Sequence, residues 1–351
     1  MNFFDGVADL PLTVDSVSRS RRESDTSSGF LRKTTLFVLS GDGEVGRGED
    51  VTYDAEDHDA LADAPDDVFG LEGTYDSFAE FSAALDDVDL FPTKDPERAT
   101  SEHYRRWGLE SAGLDLALRQ NETDLATAVG RERDPVRFVV STRLGDPPSA
   151  DRVEMLLDRD PDCEFKLDPT SEWDDALVES VASHDCVRIL DLKGQYEGTE
   201  VDQAPDPALY ERIITGFPDA VIEDPAFTDE TRPLFDGHED RVSWDYPITG
   251  VESVEALPFE PSWLNIKPSR FGTVESLFET IEYAHERGMS LYGGGQFELG
   301  VGRDHIQLLA SVFYSDGPND VAPSAYNLPE PPEGLPRSPL EPGDDPLGLD
   351  F

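Results

Sequence analysis

Cysteine is nearly absent. Cys163 and Cys186 are the only two in 351 residues, too few for a disulfide framework and not spaced as metal ligands. No run approaches the ~18 apolar residues of a membrane-crossing helix. The opening Met1-Asn2-Phe3-Phe4-Asp5-Gly6 lacks a positive stretch ahead of an apolar one, so a signal peptide is not expected. Basic residues are scarce too, 28 Lys and Arg against 76 Asp and Glu, a formal net charge of -48. Phosphate contacts need a basic stripe, and none exists, which disfavours nucleic-acid binding. The six histidines (His58, His103, His184, His238, His285 and His305) fall away from predicted strand ends and read as surface or structural groups. A soluble, cytoplasmic protein is expected.

What is present is enough for a core. Hydrophobic residues make up 37% of the chain, which argues against wholesale disorder, and the length suits one or two domains. The acidity is spread over Asp63–Asp67, Asp86–Asp89, Asp158–Glu164 and Asp236–Asp240. Charge distributed in this way reads as a salt-adapted surface, similar to proteins of halophilic archaea. A docking patch for a basic partner would be local.

The pattern divides the chain in three. Residues 1–134 read as an α+β domain. Thr34–Ser40 is β-branched and apolar, Gly41-Asp42-Gly43 is a turn, and Val45–Glu49 resumes the strand. Glu102–Arg119 then has helical spacing, and its small Gly108, Ala112 and Gly113 predict close packing against a neighbour. Over 135–327, seven short apolar runs alternate with helical stretches: Val136–Ser141, Cys163–Leu167, Val187–Leu192, Ala220–Glu223, Val242–Tyr246, Trp263–Ile266 and Met289–Tyr292. The repeat fits βα units of a (β/α) barrel, although a doubly wound sheet would also alternate. The Pro-rich segment 328–351 has no core-forming pattern and is expected to wrap the surface or to be mobile.

Three acids end consecutive runs: Asp191, Glu223 and Asp245. In a barrel the strand C-termini converge on one face, where active sites are built. Carboxylates gathered there repel unless a hard cation neutralises them, and oxygen-only ligands favour Mg2+. Each acid taken alone could instead cap the helix after its strand. Lys166 and Lys267 lie on runs flanking this set. A lysine ending an apolar strand needs a partner or a function, so each reads as a catalytic base or as a scaffold ion pair.

The order Lys166, Asp191, Glu223, Asp245, Lys267, followed by Tyr292-Gly-Gly-Gly-Gln296-Phe-Glu298-Leu-Gly-Val-Gly302, resembles the muconate-lactonizing and mandelate-racemase branch of the enolase superfamily. Gly43-Glu-Val-Gly-Arg-Gly-Glu49 and Trp107–Ala117 resemble the hairpin and helix of its capping domain. The resemblance implies a modified (β/α)7β barrel with an N-terminal α+β capping domain. It implies Mg2+ on Asp191, Glu223 and Asp245, and Lys267 as base in removing the proton next to a substrate carboxylate, through an enediolate. Glu298, placed by the resemblance on the eighth strand, is implied near the substrate or holding a neighbouring side chain, and Gln296 and Tyr246 are further candidate substrate-binding residues. A homo-oligomer is compatible, with no interface legible.

The departures shape the expected reaction. Where the family often has Lys-x-Lys on the second strand, Asp168 takes the second position. Lys193 stands two residues after Asp191, on the face Asp191 should share. Loss of a second-face base argues for a lyase or dehydratase acting on a small carboxylate, with Asp168 or Lys193 assisting the leaving group. An o-succinylbenzoate-synthase-like or epimerase activity, with Lys193 as second base, and a catalytically silent metal-binding homologue are the alternatives. Ser16–Gly29, with Arg19, Arg21 and Arg22, and Asp50–Asp59 are candidate substrate-closing loops. The arginines read either as a clamp for a second anionic group or as a disordered basic loop.

Overall fold

A computed structural model describes residues 2–351 other than 27, 28, 66, 67, 197 and 200. The N-terminal part holds an antiparallel sheet of β2 (Ser16–Asp25), β3 (Leu31–Gly41) and β4 (Glu44–Asp50), and a pair formed by β1 (Leu12–Val14) and β5 (Gly73–Tyr75). Positive φ at Asp42 and Gly43 makes the β3–β4 turn. The 20-residue helix Ser101–Gln120 packs on β4. A Cβ on Gly48 would sit 2.0 Å from the Gly108 carbonyl, and one on Gly108 2.7 Å from the Asp50 amide. Small residues on both elements therefore let the backbones touch, as the spacing in that helix predicts.

Seven parallel strands follow: β6 (Val140–Thr142), β7 (Phe165–Leu167), β8 (Val187–Asp191), β9 (Val221–Glu223), β10 (Val242–Trp244), β11 (Trp263–Ile266) and β12 (Ser290–Gly293). They are paired in sequence order. Helices such as Asp175–Ala182, Pro207–Gly216 and Val274–Glu286 return the chain between strands. Their starts are capped by side chains: Asp174 accepts from Leu177, Asp206 from Ala208 and Leu209, and Thr273 from Ser276. The ring closes at Asn319–Asp320. The Val139 amide donates to the Asn319 carbonyl at 2.8 Å, and the Asp320 amide to the Gly293 carbonyl at 2.8 Å. The eighth strand position is thus two residues long. The architecture is a (β/α)7β barrel under a capping domain.

Two expectations are corrected here, and of the two alternatives for the C-terminal segment the docked one holds. Glu298 lies in the loop after β12, the seventh barrel strand, and not on the eighth. Residues 16–25 form a strand, not a loop. Its Arg19 donates to the Ala64 and Pro65 carbonyls and Arg21 pairs with Asp59, so these arginines brace the cap; residues 27 and 28 lie outside the described set. The C-terminal segment is tied down. Leu340 pairs with Val136, the Gly348 amide donates to Thr123, and Leu349 donates to Asp115, so the segment runs from the barrel to the cap helix. Leu340 and Leu349 are buried, which anchors a stretch whose composition is otherwise polar.

Candidate active site at the strand C-termini

Parallel register delivers the acids to one level. Asp191 pairs directly with Glu223 across β8–β9, and Glu223 with Ser243 across β9–β10, so Asp245 follows one pleat later. All three are fully buried. Glu223 points across the barrel: its Oε2 accepts from Asn265 at 3.1 Å and from the Tyr292 hydroxyl, and its Oε1 accepts from Lys166. Lys166 Nζ also stands 3.4 Å from Asp191 and 3.8 Å from Asp320.

Among the described residues, oxygens of Asp191, Glu223 and Asp224 lie within 4.8 Å of one another. Asp245, named from the sequence, is not in that cluster. Asp224 is the less available ligand, because its two oxygens accept from the Asp245 and Tyr246 amides at 2.9 Å each. Asp245 faces a cationic wall. Its Oδ2 is 2.8 Å from Lys267 Nζ and accepts from the Tyr196 hydroxyl at 2.8 Å. Its Oδ1 is 3.2 Å from Arg270 Nε but has no hydrogen-bond partner. A buried carboxylate oxygen left without a donor needs an explanation, and a cation would supply one.

The electrostatics fit an oxygen-ligand cation site. Burial pushes the Glu223 carboxyl well above the usual range, and the charges of Asp191 and Asp245 add to this against Lys166. Burial also opposes ionising Asp191, but Lys193 and Lys166 outweigh it and hold that carboxyl low. The two carboxyls are thus pushed in opposite directions, as expected of adjacent buried acids that repel. Arg270 and Lys267 likewise overcome burial to depress Asp245. Burial raises Asp224 to about 7, with Asp245 and Asp191 adding to the effect. The donor set is oxygen only, the choice of a hard divalent ion. The residues present fit such a group.

The sequence contains five lysines, and three of them, Lys166, Lys193 and Lys267, line one cavity of about 500 Å³ at the mouth of this site. Lys193 gets there by a different route from the one expected. β8 ends at Asp191, and Lys193 takes a left-handed turn with φ +54, which folds Nζ back onto Asp191 and to 3.6 Å from Asp168. Burial opposes its charge, but Asp168 and Asp191 outweigh burial and keep it protonated. Asp168 also pairs with Arg143 at 3.2 Å. Tyr246 lines the cavity with its ring 4.4 Å from that of Tyr196.

Gln296 and Glu298 do not themselves line the cavity. Gln296 is buried, accepts from Tyr53 at 2.7 Å and donates to Tyr104, both of the cap. Glu298 accepts from the Gln296 amide at 2.6 Å and pairs with Arg303 at 3.1 Å. They stiffen the wall from behind. Sequence reasoning missed Asp224, Asp320, Tyr196 and Arg270. Two had a signal: Asp224 adjoins Glu223, and Arg270 ends the Lys-Pro-Ser-Arg run after β11.

Residues 5–128 match the N-terminal domain, and residues 132–328 the C-terminal domain, of a family described as a domain of unknown function, DUF8230. The chain belongs to that family. No curated protein matches. Among solved structures, dipeptide epimerase from Methylococcus capsulatus, complexed with Mg and the dipeptide L-Arg-D-Lys, is similar with a TM-score of 0.70 at 15% identity, over 97% of this chain and 99% of that one. A mandelate racemase/muconate lactonizing protein from Herpetosiphon aurantiacus gives 0.67 at 17% identity, over 97% and 98%. Muconate lactonizing enzyme from Pseudomonas putida gives 0.65 at 18% identity, over 96% of each chain. The DUF8230 chain has the enolase-superfamily fold.

Proposed function

We propose that this protein is a Mg2+-dependent enzyme that removes the proton next to the carboxylate of a small acid, with elimination as the net reaction. The observation that carries the reading is the gathering of three of five lysines around one cavity, above buried acids at the strand ends. Asp191, Glu223 and Asp245 would hold the cation, with Asp224 fixing the end of β10. When bound, the cation supplies positive charge against the negative charge that grows on the substrate carboxylate.

The chain's own groups do the rest. Lys267 takes the α-proton onto Nζ. Lys193, kept protonated by Asp168 and Asp191, gives its proton to the departing hydroxyl, which leaves as water while the carbon–carbon double bond forms. Lys166 adds positive charge near the same oxygens.

Epimerisation is the second reading, because one feature favours it. Lys166 on β7 and Lys267 after β11 stand four places apart in a ring of eight, on opposite sides of the barrel. Likeness to dipeptide epimerases supports the same reading. Incubating candidate acids with the protein and magnesium in heavy water separates the two. Unsaturated product with Lys267-dependent turnover supports elimination, and α-deuterium with inverted configuration supports epimerisation. Absence of both across a broad set of acids would remove the proposal.

A further inference from the structure

The apolar residues at the cavity mouth are out of keeping with so acidic a surface. The large apolar side chains exposed among the described residues are Phe30 (36%), Leu31 (50%) and Tyr53 (37%), and all three line this cavity. Exposed apolar groups gathered in one place mark a binding surface. Phe30 meets Phe297 edge-on, with ring centres 5.4 Å apart, which joins the cap to the loop after β12. Phe297 holds φ +57, a backbone conformation a bulky residue adopts only where its surroundings impose it.

The arginines of the same wall are already paired. Arg98 is 3.1 Å from Asp54, Arg143 is 3.2 Å from Asp168, Arg303 is 3.1 Å from Glu298, and Arg270 is 3.2 Å from Asp245. Each of these arginines thus already faces a carboxylate of the chain's own. The cavity therefore has the three lysines at one end and, under the cap, Phe30, Leu31 and Tyr53 beside the Arg98–Asp54 pair. Its volume of about 500 Å³ suits a small ligand.

We infer that the substrate is a carboxylic acid bearing a ring-sized apolar group at or next to its α-carbon. This rests on the reading of the strand ends as a carboxylate site. The ring lies against Phe30, Leu31 and Tyr53, and burying it strengthens binding on the order of tenfold to a hundredfold.

Equilibrium dialysis of the full-length protein with magnesium in molar potassium chloride tests this, using phenylacetate, propionate, succinate and dialanine as probes. Phenylacetate is expected to bind at least about tenfold more tightly than the other three. The double variant Phe30→Ala/Leu31→Ala alters two solvent-exposed side chains, and circular dichroism checks that it folds. It is expected to lose about tenfold in phenylacetate affinity and to bind propionate unchanged. Equal or tighter binding of propionate, succinate or dialanine overturns the inference, as does a double variant that binds phenylacetate like the parent. The two readings fail separately. Aromatic preference with no α-deuterium exchange sinks proton abstraction alone, and exchange without aromatic preference sinks the substrate class alone.

Discussion

Lys267 Nζ lies 2.8 Å from Asp245 Oδ2, the same oxygen to which Tyr196 donates at 2.8 Å. The base and one acid of the site are thus coupled. Removing the lysine leaves Asp245 with Arg270 and Tyr196, so the carboxylate stays compensated. Lys267→Ala is therefore expected to fold and to bind magnesium while losing at least about a hundredfold in α-proton exchange. Deuterium incorporation and a magnesium titration on the same sample check both halves.

Glu49 ties the cap to the barrel. Its carboxylate accepts from the amides of Leu299, Gly300 and Gly302 at 2.8 to 3.1 Å, just where the helix Gly302–Phe313 begins. Truncation would strand three largely buried donors. Glu49→Ala should cost on the order of 3 to 5 kcal/mol in urea unfolding, and Glu49→Gln clearly less, since one acceptor oxygen remains.

Much of this site was legible because chemistry at strand ends leaves local marks. Asp191, Glu223 and Lys267 each stand out as a charge closing an apolar run, and a buried charge needs a reason. Asn319–Asp320 left no such mark, since two polar residues make no run, yet their backbone closes the barrel and brings Asp320 to Lys166. Glu298 was misplaced for the related reason that a Gly-rich loop has no periodicity to count. The course of the C-terminal segment was not legible because its docking depends on a few buried residues and backbone bonds to distant partners, Val136 and Thr123, which composition does not reveal.

His305 gives the fold a pH dependence of known sign. Burial lowers its pKa to about 4, below the ordinary 6.5. Above pH 6.5 the imidazole is neutral in both states. Below it the unfolded chain takes up a proton that the folded one refuses, so stability falls until about pH 4. The loss reaches roughly 3 kcal/mol for this one group. Denaturant unfolding from pH 7 to pH 4 should show the parent losing that much relative to His305→Gln.

A net charge of -48 repels itself. Screening shortens from about 10 Å at 0.1 M salt to about 3 Å at 1 M, so the thermal midpoint should climb steadily with potassium chloride over that range. A midpoint indifferent to salt would remove the reading of the surface as salt-adapted.

The central claim is that Asp191, Glu223 and Asp245 share one divalent cation. Crystals grown with manganese in place of magnesium test it most directly, through the anomalous difference map. A single strong peak is expected within bonding distance of oxygens from all three residues, with Asp224 still on the amides of Asp245 and Tyr246. A map with no peak there, or a peak held by Asp224 without Asp245, contradicts it.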